Sequence, residues 1–160
     1  MAGTLKTIGD LIVSSIETVR AANGYKYNGF ATARTHLPTV KANGQATKDG
    51  LCWIAGHVLD DSNIRSRGLS RLCDRQILIE IALQRSVMLP SDIAGLDDMC
   101  ETDEQIRNTV RKMTTLPDNF CIIKIECLKT EEGTPYHYYM LREANVYESY
   151  FCAYFQTTLE

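Results

Sequence analysis

The stretch Arg75-Gln76-Ile77-Leu78-Ile79-Glu80-Ile81-Ala82-Leu83-Gln84-Arg85 decides the fold of this 160-residue chain. Apolar and polar side chains alternate along it, with Ile77, Ile79, Ile81 and Leu83 facing one way and Gln76, Glu80 and Gln84 the other. A period of two is typical of a β-strand that buries one face and leaves the other wetter. The stretch therefore predicts a sheet strand over 75–85.

Three further strands are predicted toward the C-terminus, at 120–128, 136–141 and 146–158, with a hairpin turn at 131–134. The last strand carries Tyr147, Phe151, Ala153 and Phe155 on one face and Tyr150, Cys152 and Tyr154 on the other. Apolar or aromatic character on both faces implies that neither meets bulk water. Either one face packs on helices and the other on a neighbouring subunit, or the strand is buried between its own helices.

Two helices are predicted on either side of the decisive strand. Apolar residues recur at helical spacing over 5–19, and Asn23-Gly24 is a good stop signal because both residues tolerate the left-handed conformation. The second helix is expected to begin at Thr102, which forms a capping-box pattern with Gln105, and to follow an acidic loop.

The region 29–74 is the hardest to interpret. Strands are expected at 30–35 and 51–59 and an edge strand at 37–40, whereas 60–68 is expected to be a polar loop. With no repeat or linker in the sequence, residues 1–160 are predicted to form a single α+β domain. Its architecture is a mixed, mostly antiparallel β-sheet with two main helices packed on it.

Charge is unevenly distributed in a chain whose formal net charge is only −3. Residues 91–104 contain six acidic side chains and no basic one, whereas 63–75 contain four arginines and one aspartate. Patches of opposite sign suit contacts between identical subunits, although solvated loops are the commoner explanation of exposed charge. No apolar run approaches the ~20 residues that cross a bilayer, and no secretory signal begins the chain. We expect a protein that folds in a cytoplasm and does not enter a membrane.

The sequence carries no recognisable catalytic motif. The six cysteines show no C-x-x-C spacing and are expected to be reduced, buried small hydrophobes. Cys52 and His57, with His36 and Cys73 nearby, lack the paired spacing of a zinc site, so no metal is predicted. No phosphate loop, dinucleotide fingerprint or nucleophile elbow is present either. We therefore predict no catalytic residue, no cofactor and no enzyme activity.

Five features occur in a particular order along the chain. A first helix ends in Ala22-Asn23-Gly24-Tyr25, and the extended segment Leu37-Pro38-Thr39-Val40 follows. Next come the Arg-led strand at 75–81, an Asp-rich loop entering a helix with Ile106-Arg107, and an aromatic strand at 150–158. In this pattern the chain resembles the tail terminator (tail completion) proteins of long-tailed bacteriophages.

The resemblance implies a small α/β domain that closes into a homohexameric ring. Such a ring caps the tail tube, stops its polymerisation and offers a docking face to the head–tail connector. The implied partners are copies of the chain itself, the tail tube protein and the connector (neck) protein, in the virion tail or neck after assembly in the host cytoplasm. These proteins have no catalytic residues.

Three sets of residues follow as candidates. Arg65, Arg67 and Arg71 are candidates for a subunit or partner contact, as are Tyr150 and Tyr154 on the aromatic strand. Under the resemblance, Glu131 and Glu132 would line an acidic lumen through which DNA passes without specific binding. The alternatives are another phage neck component (a head-completion or adaptor protein), a small bacterial binding module, or an enzyme using His57 or His137 with a cysteine.

Overall fold

A computed structural model describes residues 3–35, 49–67, 70–87, 92–113, 116, 120–127, 141–143 and 145–159, with the backbone alone at 60–67, 70–74, 127 and 158–159. Its elements follow the order α1 (Thr4–Ala21), β1 (Ala31–Thr35), β2 (Leu51–Arg67), β3 (Ser70–Ser86), α2 (Ile93–Arg111), β4 (Phe120–Cys127) and β5 (Val146–Leu159). A short helical segment at 141–143 precedes β5.

The five strands form one mixed sheet in the order β1-β2-β3-β5-β4. β1 is parallel to β2, and the pairs β2–β3, β3–β5 and β5–β4 are antiparallel. The centre of the sheet is set by the row Ile54–Ile81–Phe151, in which each residue lies opposite the next across neighbouring strands. The predicted α+β fold, with a mostly antiparallel sheet and two main helices, is confirmed.

Both main helices pack on one face of this sheet, which we call the helix face. The α1 residues Ile8, Ile12 and Ile16 are fully buried there, as the apolar spacing of that segment predicted. From the sheet, the residues that meet the helices are Cys52, Ile54, Ile77, Ile79, Ile81, Leu83, Tyr147, Phe151, Ala153 and Phe155. The alternation of side chains predicted for β3 and β5 from the sequence therefore matches the two faces of the folded sheet.

α2 begins nine residues earlier than the sequence predicted. Its first residue is Ile93, and the side chain of Asp92 caps it by accepting a hydrogen bond from the amide of Gly95 at 3.1 Å. Thr102 therefore lies in mid-helix, where its hydroxyl donates to the carbonyl of Asp98 at 2.7 Å. The capping box and the acidic loop before it were both wrong, because the acidic run belongs to a helix that had already begun.

β2 and β3 are much longer than predicted. Each spans 17 residues, and their pairing continues to Arg67 opposite Ser70, so the polar loop expected over 60–68 was wrong as far as Arg67. Register shifts lie between Val58 and Asp60 and again before Asn63. Pairing with β3 supplies the backbone hydrogen bonds of this polar stretch, so it forms a strand without the apolar alternation that would have predicted one.

The remaining predicted elements divide into three groups. β1, β4 and β5 confirm the strands expected at 30–35, 120–128 and 146–158. The edge strand at 37–40 and the hairpin turn at 131–134 lie outside the described residues. Of the strand expected at 136–141, only Leu141 is described, and it is helical.

Candidate functional site

The face of the sheet opposite α1 and α2, which we call the second face, carries the candidate aromatic surface. Its central row consists of Trp53, Ala82 and Tyr150, which lie opposite one another on β2, β3 and β5. Trp53, Ala55 and Ala82 are buried as a small apolar cluster, and Tyr150 packs against its edge. The second face thus has a dry centre of its own, separate from the core under the helices.

The two tyrosines predicted as contact residues both lie on the second face. Tyr150 is half-buried, and burial raises the pKa of its hydroxyl, so it stays protonated and can donate a hydrogen bond. The ammonium of Lys124 lies 4.5 Å from the centre of the Tyr154 ring, a cation–π contact with the neighbouring strand β4. The structure therefore brings Tyr150 and Tyr154 together on one surface, as the period of two required.

Polar pairs flank the dry centre of the second face. On one side the amide of Gln84 donates to the carboxylate of Glu148 at 2.7 Å, and both side chains are buried. On the other side His57 Nε2 lies 3.2 Å from Glu80 Oε2. Trp53 is only 3% exposed, and its indole N–H has no hydrogen-bond partner in the part of the chain that the structure describes. The sequence did not single out these pairs, although Glu80 and Gln84 had been placed on this face.

The three candidate arginines lie at the far end of the β2–β3 ribbon, the paired segments 60–67 and 70–76. Arg65 lies opposite Leu72, Arg71 opposite Ser66, and Arg67 opposite Ser70, so their backbones are brought close together. β1 pairs with β2 only as far as Ala55. Among the described strands, the ribbon therefore has β5 as a neighbour on the β3 side and none on the β2 side.

Glu131 and Glu132, the candidate lumen residues, lie outside the described residues. The same holds for His36 and His137. His57 is described, and its side chain lies beside the carboxylate of Glu80 on the adjacent strand β3.

A groove runs between the outer sides of the two helices. It has a volume of about 660 Å³ and is lined by Leu11, Ser14, Ser15, Thr18, Val19, Gly24, Tyr25, Gln105, Asn108, Thr109, Lys112 and Met113. Hydroxyl and amide groups form much of its wall, and Lys112 supplies a positive charge. The sequence did not predict this groove, because it depends on how the two helices lie beside each other.

A polar stripe on α2 fixes the segment that follows α1. Gln105 accepts from the amide of Lys26 at 2.7 Å, and Thr102 accepts from the amide of Tyr27 at 3.0 Å. One turn further, the hydroxyls of Thr109 and Tyr25 lie 2.9 Å apart. The residues that had suggested a capping box therefore connect α2 to the chain after α1.

Asp103 is a buried carboxyl that the sequence interpretation missed. It is 5% exposed, and its Oδ2 lies 3.3 Å from Nε of Arg107, one turn along α2. Burial raises the pKa of Asp103, while the charge of Arg107 opposes the rise. Its position between Met99 and Ile106 in the buried stripe of α2 is the signal that could have located it.

The described thiols are poorly suited to nucleophilic chemistry. Burial raises the pKa of Cys52 and of Cys100, and it raises that of Cys152 to about 12, so these sulfurs remain protonated thiols near neutral pH. Cys121 is exposed on β4, which corrects the expectation that every cysteine is buried. Within the described ranges, no three His, Cys, Asp or Glu side chains are grouped to hold a metal ion.

Neither α1 nor α2 has the apolar length needed to cross a bilayer, and no other described helix does. A scan against protein-family models and a search of curated proteins each give no match to this chain. What can be inferred of function therefore rests on the second face, the ribbon and the groove.

Proposed function

We propose that this chain is a structural virion protein of the tail-terminator type. It assembles with copies of itself into a hexameric ring that caps a phage tail tube and joins it to the head connector. The observation that carries this proposal is the β2–β3 ribbon. The tip of this ribbon, residues 65–67 and 70–72, extends past the described end of β5 and carries three arginines.

The length of the ribbon strands exceeds what a compact domain needs. Strands of 17 residues extend ~56 Å at the usual rise per residue. A compact chain of 160 residues has a diameter of about 40 Å. In the described residues β1 pairs with β2 from Leu51 to Ala55, and β5 pairs with β3 from Ser86 to Cys73. The tip of the ribbon, residues 65–67 and 70–72, therefore extends beyond the end of β5 in the described sheet, and a projecting basic tip suits a subunit that contacts a neighbour.

The charge at the end of this arm supports a contact with protein or with an acidic surface. Arg65, Arg67 and Arg71 concentrate positive charge at the ribbon end. The described face of α2 offers the opposite sign, because Asp97, Glu101 and Glu104 are exposed there at helical spacing. Since a chain with both patches can satisfy one with the other on a neighbour, the distribution suits head-to-tail assembly.

The decisive experiment combines sedimentation with electron microscopy of the purified chain, alone and with tail tubes. We expect a closed ring, either free or seated on tube ends. The triple variant Arg65→Ala, Arg67→Ala, Arg71→Ala should fail to form it. The matched control removes three exposed basic groups elsewhere, at Lys6, Arg111 and Arg142, and should assemble normally. Ring formation by the ribbon variant would remove the arginines from the contact, and a chain that neither forms rings nor binds tube ends would refute the proposal.

A second candidate function, a small binding module, is favoured by the groove between α1 and α2. Its wall combines apolar side chains with hydroxyl and amide groups, and Lys112 can pair with an anionic group of a small ligand. This alternative predicts a monomer that binds a small molecule with a 1:1 ratio. It also predicts that Lys112→Glu abolishes the binding without changing the oligomeric state.

A further inference from the structure

The groove between α1 and α2 has two chemically different walls. Its α2 wall carries Gln105, Asn108 and Lys112, which follow one another along one side of the helix at spacings of three and four residues. Its α1 wall carries Ser14 and Thr18, which are exposed and lie four residues apart. Polar side chains of both helices therefore face a shared space of about 660 Å³, a size typical of small-ligand sites.

The α2 wall is a row of hydrogen-bond donors. The side-chain oxygen of Gln105 accepts from the backbone amide of Lys26 at 2.7 Å, and that of Asn108 accepts from the guanidinium of Arg111 at 2.8 Å. Both partners can only donate, so these bonds fix which way the two side-chain amides point and leave their NH2 groups as donors for a ligand. Lys112 is exposed and adds a positive charge with three N–H donors.

The floor and the α1 wall present acceptors instead. Thr109 donates its single hydroxyl proton to the carbonyl of Gln105 at 3.0 Å. The hydroxyl of Tyr25, which lies 2.9 Å from that of Thr109, must therefore be the donor in that pair, and its oxygen can accept from a ligand. Thr18 likewise donates to the carbonyl of Ser14 at 2.8 Å, so toward a ligand its hydroxyl acts as an acceptor.

This division of donors and acceptors specifies a class of ligand. A matching molecule carries negative charge and acceptor atoms on one side, as a carboxylate or phosphate does, and hydroxyl donors on the other. The remaining lining includes the apolar side chains of Leu11, Val19 and Met113, which suit the C–H surface of a sugar ring. A neutral sugar would leave Lys112 without a charged partner, and acetate would leave the acceptors of the other wall without donors.

We propose that the groove binds a small acidic sugar, with its carboxylate or phosphate against the α2 wall and its hydroxyl groups against Tyr25 and Thr18. The inference rests on the second candidate function, a binding site in this groove, and names its ligand. It does not require the chain to be a monomer. The groove is built by α1, α2 and the segment after α1, whereas the arginines of the proposed ring contact lie on β2 and β3.

Isothermal titration calorimetry tests the ligand class with three probes, glucuronate, glucose 6-phosphate and neutral glucose. We expect at least one of the two acids to bind with a 1:1 ratio and about tenfold or more tightly than glucose, because only an acid forms a charge-assisted bond with Lys112. The two acids also distinguish a carboxylate site from a phosphate site. Equal affinities for glucose and for both acids would overturn the proposal.

Two variants locate the ligand within the groove. Lys112→Gln removes the charge but keeps a polar side chain, so it should reduce the affinity for the acid to about that for glucose. Thr18→Val keeps the shape of the side chain and removes the acceptor, so it should weaken the binding of every sugar by about three- to tenfold. Lys6→Gln, which changes another exposed lysine near the start of α1, is the matched control and should bind like the unmodified chain.

Circular dichroism of each variant confirms that it is folded, since all three substitutions are at exposed positions. An affinity for the acid that is unchanged in Lys112→Gln would show that the ligand lies elsewhere and would overturn the site.

Sedimentation of the same samples separates this inference from the proposed ring. If neither acid binds the unmodified chain, the ligand class is wrong, and the ring is judged by its own sedimentation result. If an acid binds through Lys112 while the chain stays monomeric at every concentration and on tail tubes, the ring is refuted and the groove keeps its ligand.

Discussion

Asp103, a single residue in the buried stripe of α2, is expected to make the stability of the fold depend on pH. Its carboxyl is buried beside the core residues Met99 and Ile106, and Arg107 only partly offsets the loss of water. Ionisation is therefore easier in the unfolded chain than in the folded one. Because the pKa of Asp103 is raised in the folded state, the contribution of this group to stability is fully present below a pH of about 4. That contribution is lost as pH rises through the folded pKa.

We predict that Asp103→Asn removes this fall. The free energy of unfolding of the variant, relative to the unmodified chain, should increase with pH by up to about 1.4 kcal/mol for each pH unit within that window. Urea titrations between pH 4 and 8 measure it directly. Asp97→Asn, which removes an exposed carboxyl from the same helix, is the matched control for charge. A constant difference between Asp103→Asn and the unmodified chain at all pH values would contradict the prediction.

Thr102 shows how one hydroxyl group can join a helix to another segment of the chain. Its hydroxyl donates to a carbonyl in its own helix and accepts the amide of Tyr27 from another segment. Valine has the same shape but no hydroxyl, so it leaves that amide without its acceptor. We predict that Thr102→Val lowers the free energy of unfolding by about 1–3 kcal/mol.

Thr18→Val provides the comparison for this prediction. Thr18 also donates to the carbonyl four residues before it, Ser14 at 2.8 Å, but it is exposed on α1. A change below about 0.5 kcal/mol is expected there. Equal losses in the two variants, measured by chemical denaturation, would show that the contact with Tyr27 contributes nothing.

At the scale of the elements, the start of β2 depends on a backbone that favours glycine. Gly50 has φ of +100°, and a Cβ atom built on it would lie 3.1 Å from the carbonyl oxygen of Gln84. Gly50→Ala should therefore cost about 1–3 kcal/mol and lower Tm by roughly 2–4 °C for each kcal/mol. Gly3→Ala, where no atom lies within 4 Å of the added carbon, should change Tm little. Differential scanning calorimetry compares the two, and equal Tm values would refute the strain argument.

How well the sequence predicted an element depended on whether that element has one dry face. β3 and β5 alternate strictly because their helix face lies under α1 and α2, so the faces of both strands were predicted correctly. The first nine residues of α2 were missed because Gly95 and the acidic run hide the stripe formed by Leu96, Met99 and Asp103. Periodicity of apolar residues cannot reveal a helix whose buried stripe includes a carboxyl.

The candidate site was predictable only where it follows from strand alternation. That Tyr150 and Tyr154 lie on one surface could be predicted from the period of two along a single strand. The register shifts between Val58 and Asp60 on β2 and between Ile122 and Lys124 on β4, by contrast, are properties of pairing between neighbouring strands. So is the buried pair Gln84–Glu148, whose members lie 64 residues apart. Such features depend on tertiary register, which no local pattern encodes.

At the scale of the whole molecule, the charge pattern predicts that the proposed assembly is sensitive to salt. Contacts between arginines and acids at a surface weaken as ionic strength rises, because the Debye length falls from about 10 Å at 0.1 M to about 3 Å at 1 M. We predict that raising the salt concentration over this range lowers the fraction of subunits that sediment as rings. An equal fraction at the two salt concentrations would show that the arginines of the ribbon and the acidic face of α2 do not hold copies together.

Self-assembly should also appear in thermal stability. A partner that binds the folded state alone stabilises it by mass action, so each tenfold rise in subunit concentration adds up to about 1.4 kcal/mol to the apparent free energy of unfolding. For a chain of this size that corresponds to an increase in Tm of roughly 3–5 °C. The Tm of the triple variant Arg65→Ala, Arg67→Ala, Arg71→Ala should not depend on concentration, whereas that of the control changed at Lys6, Arg111 and Arg142 should rise like that of the unmodified protein. A Tm of the unmodified chain that stays constant across the same concentrations would mean that folding and association are not coupled, and self-assembly would then make no contribution to stability.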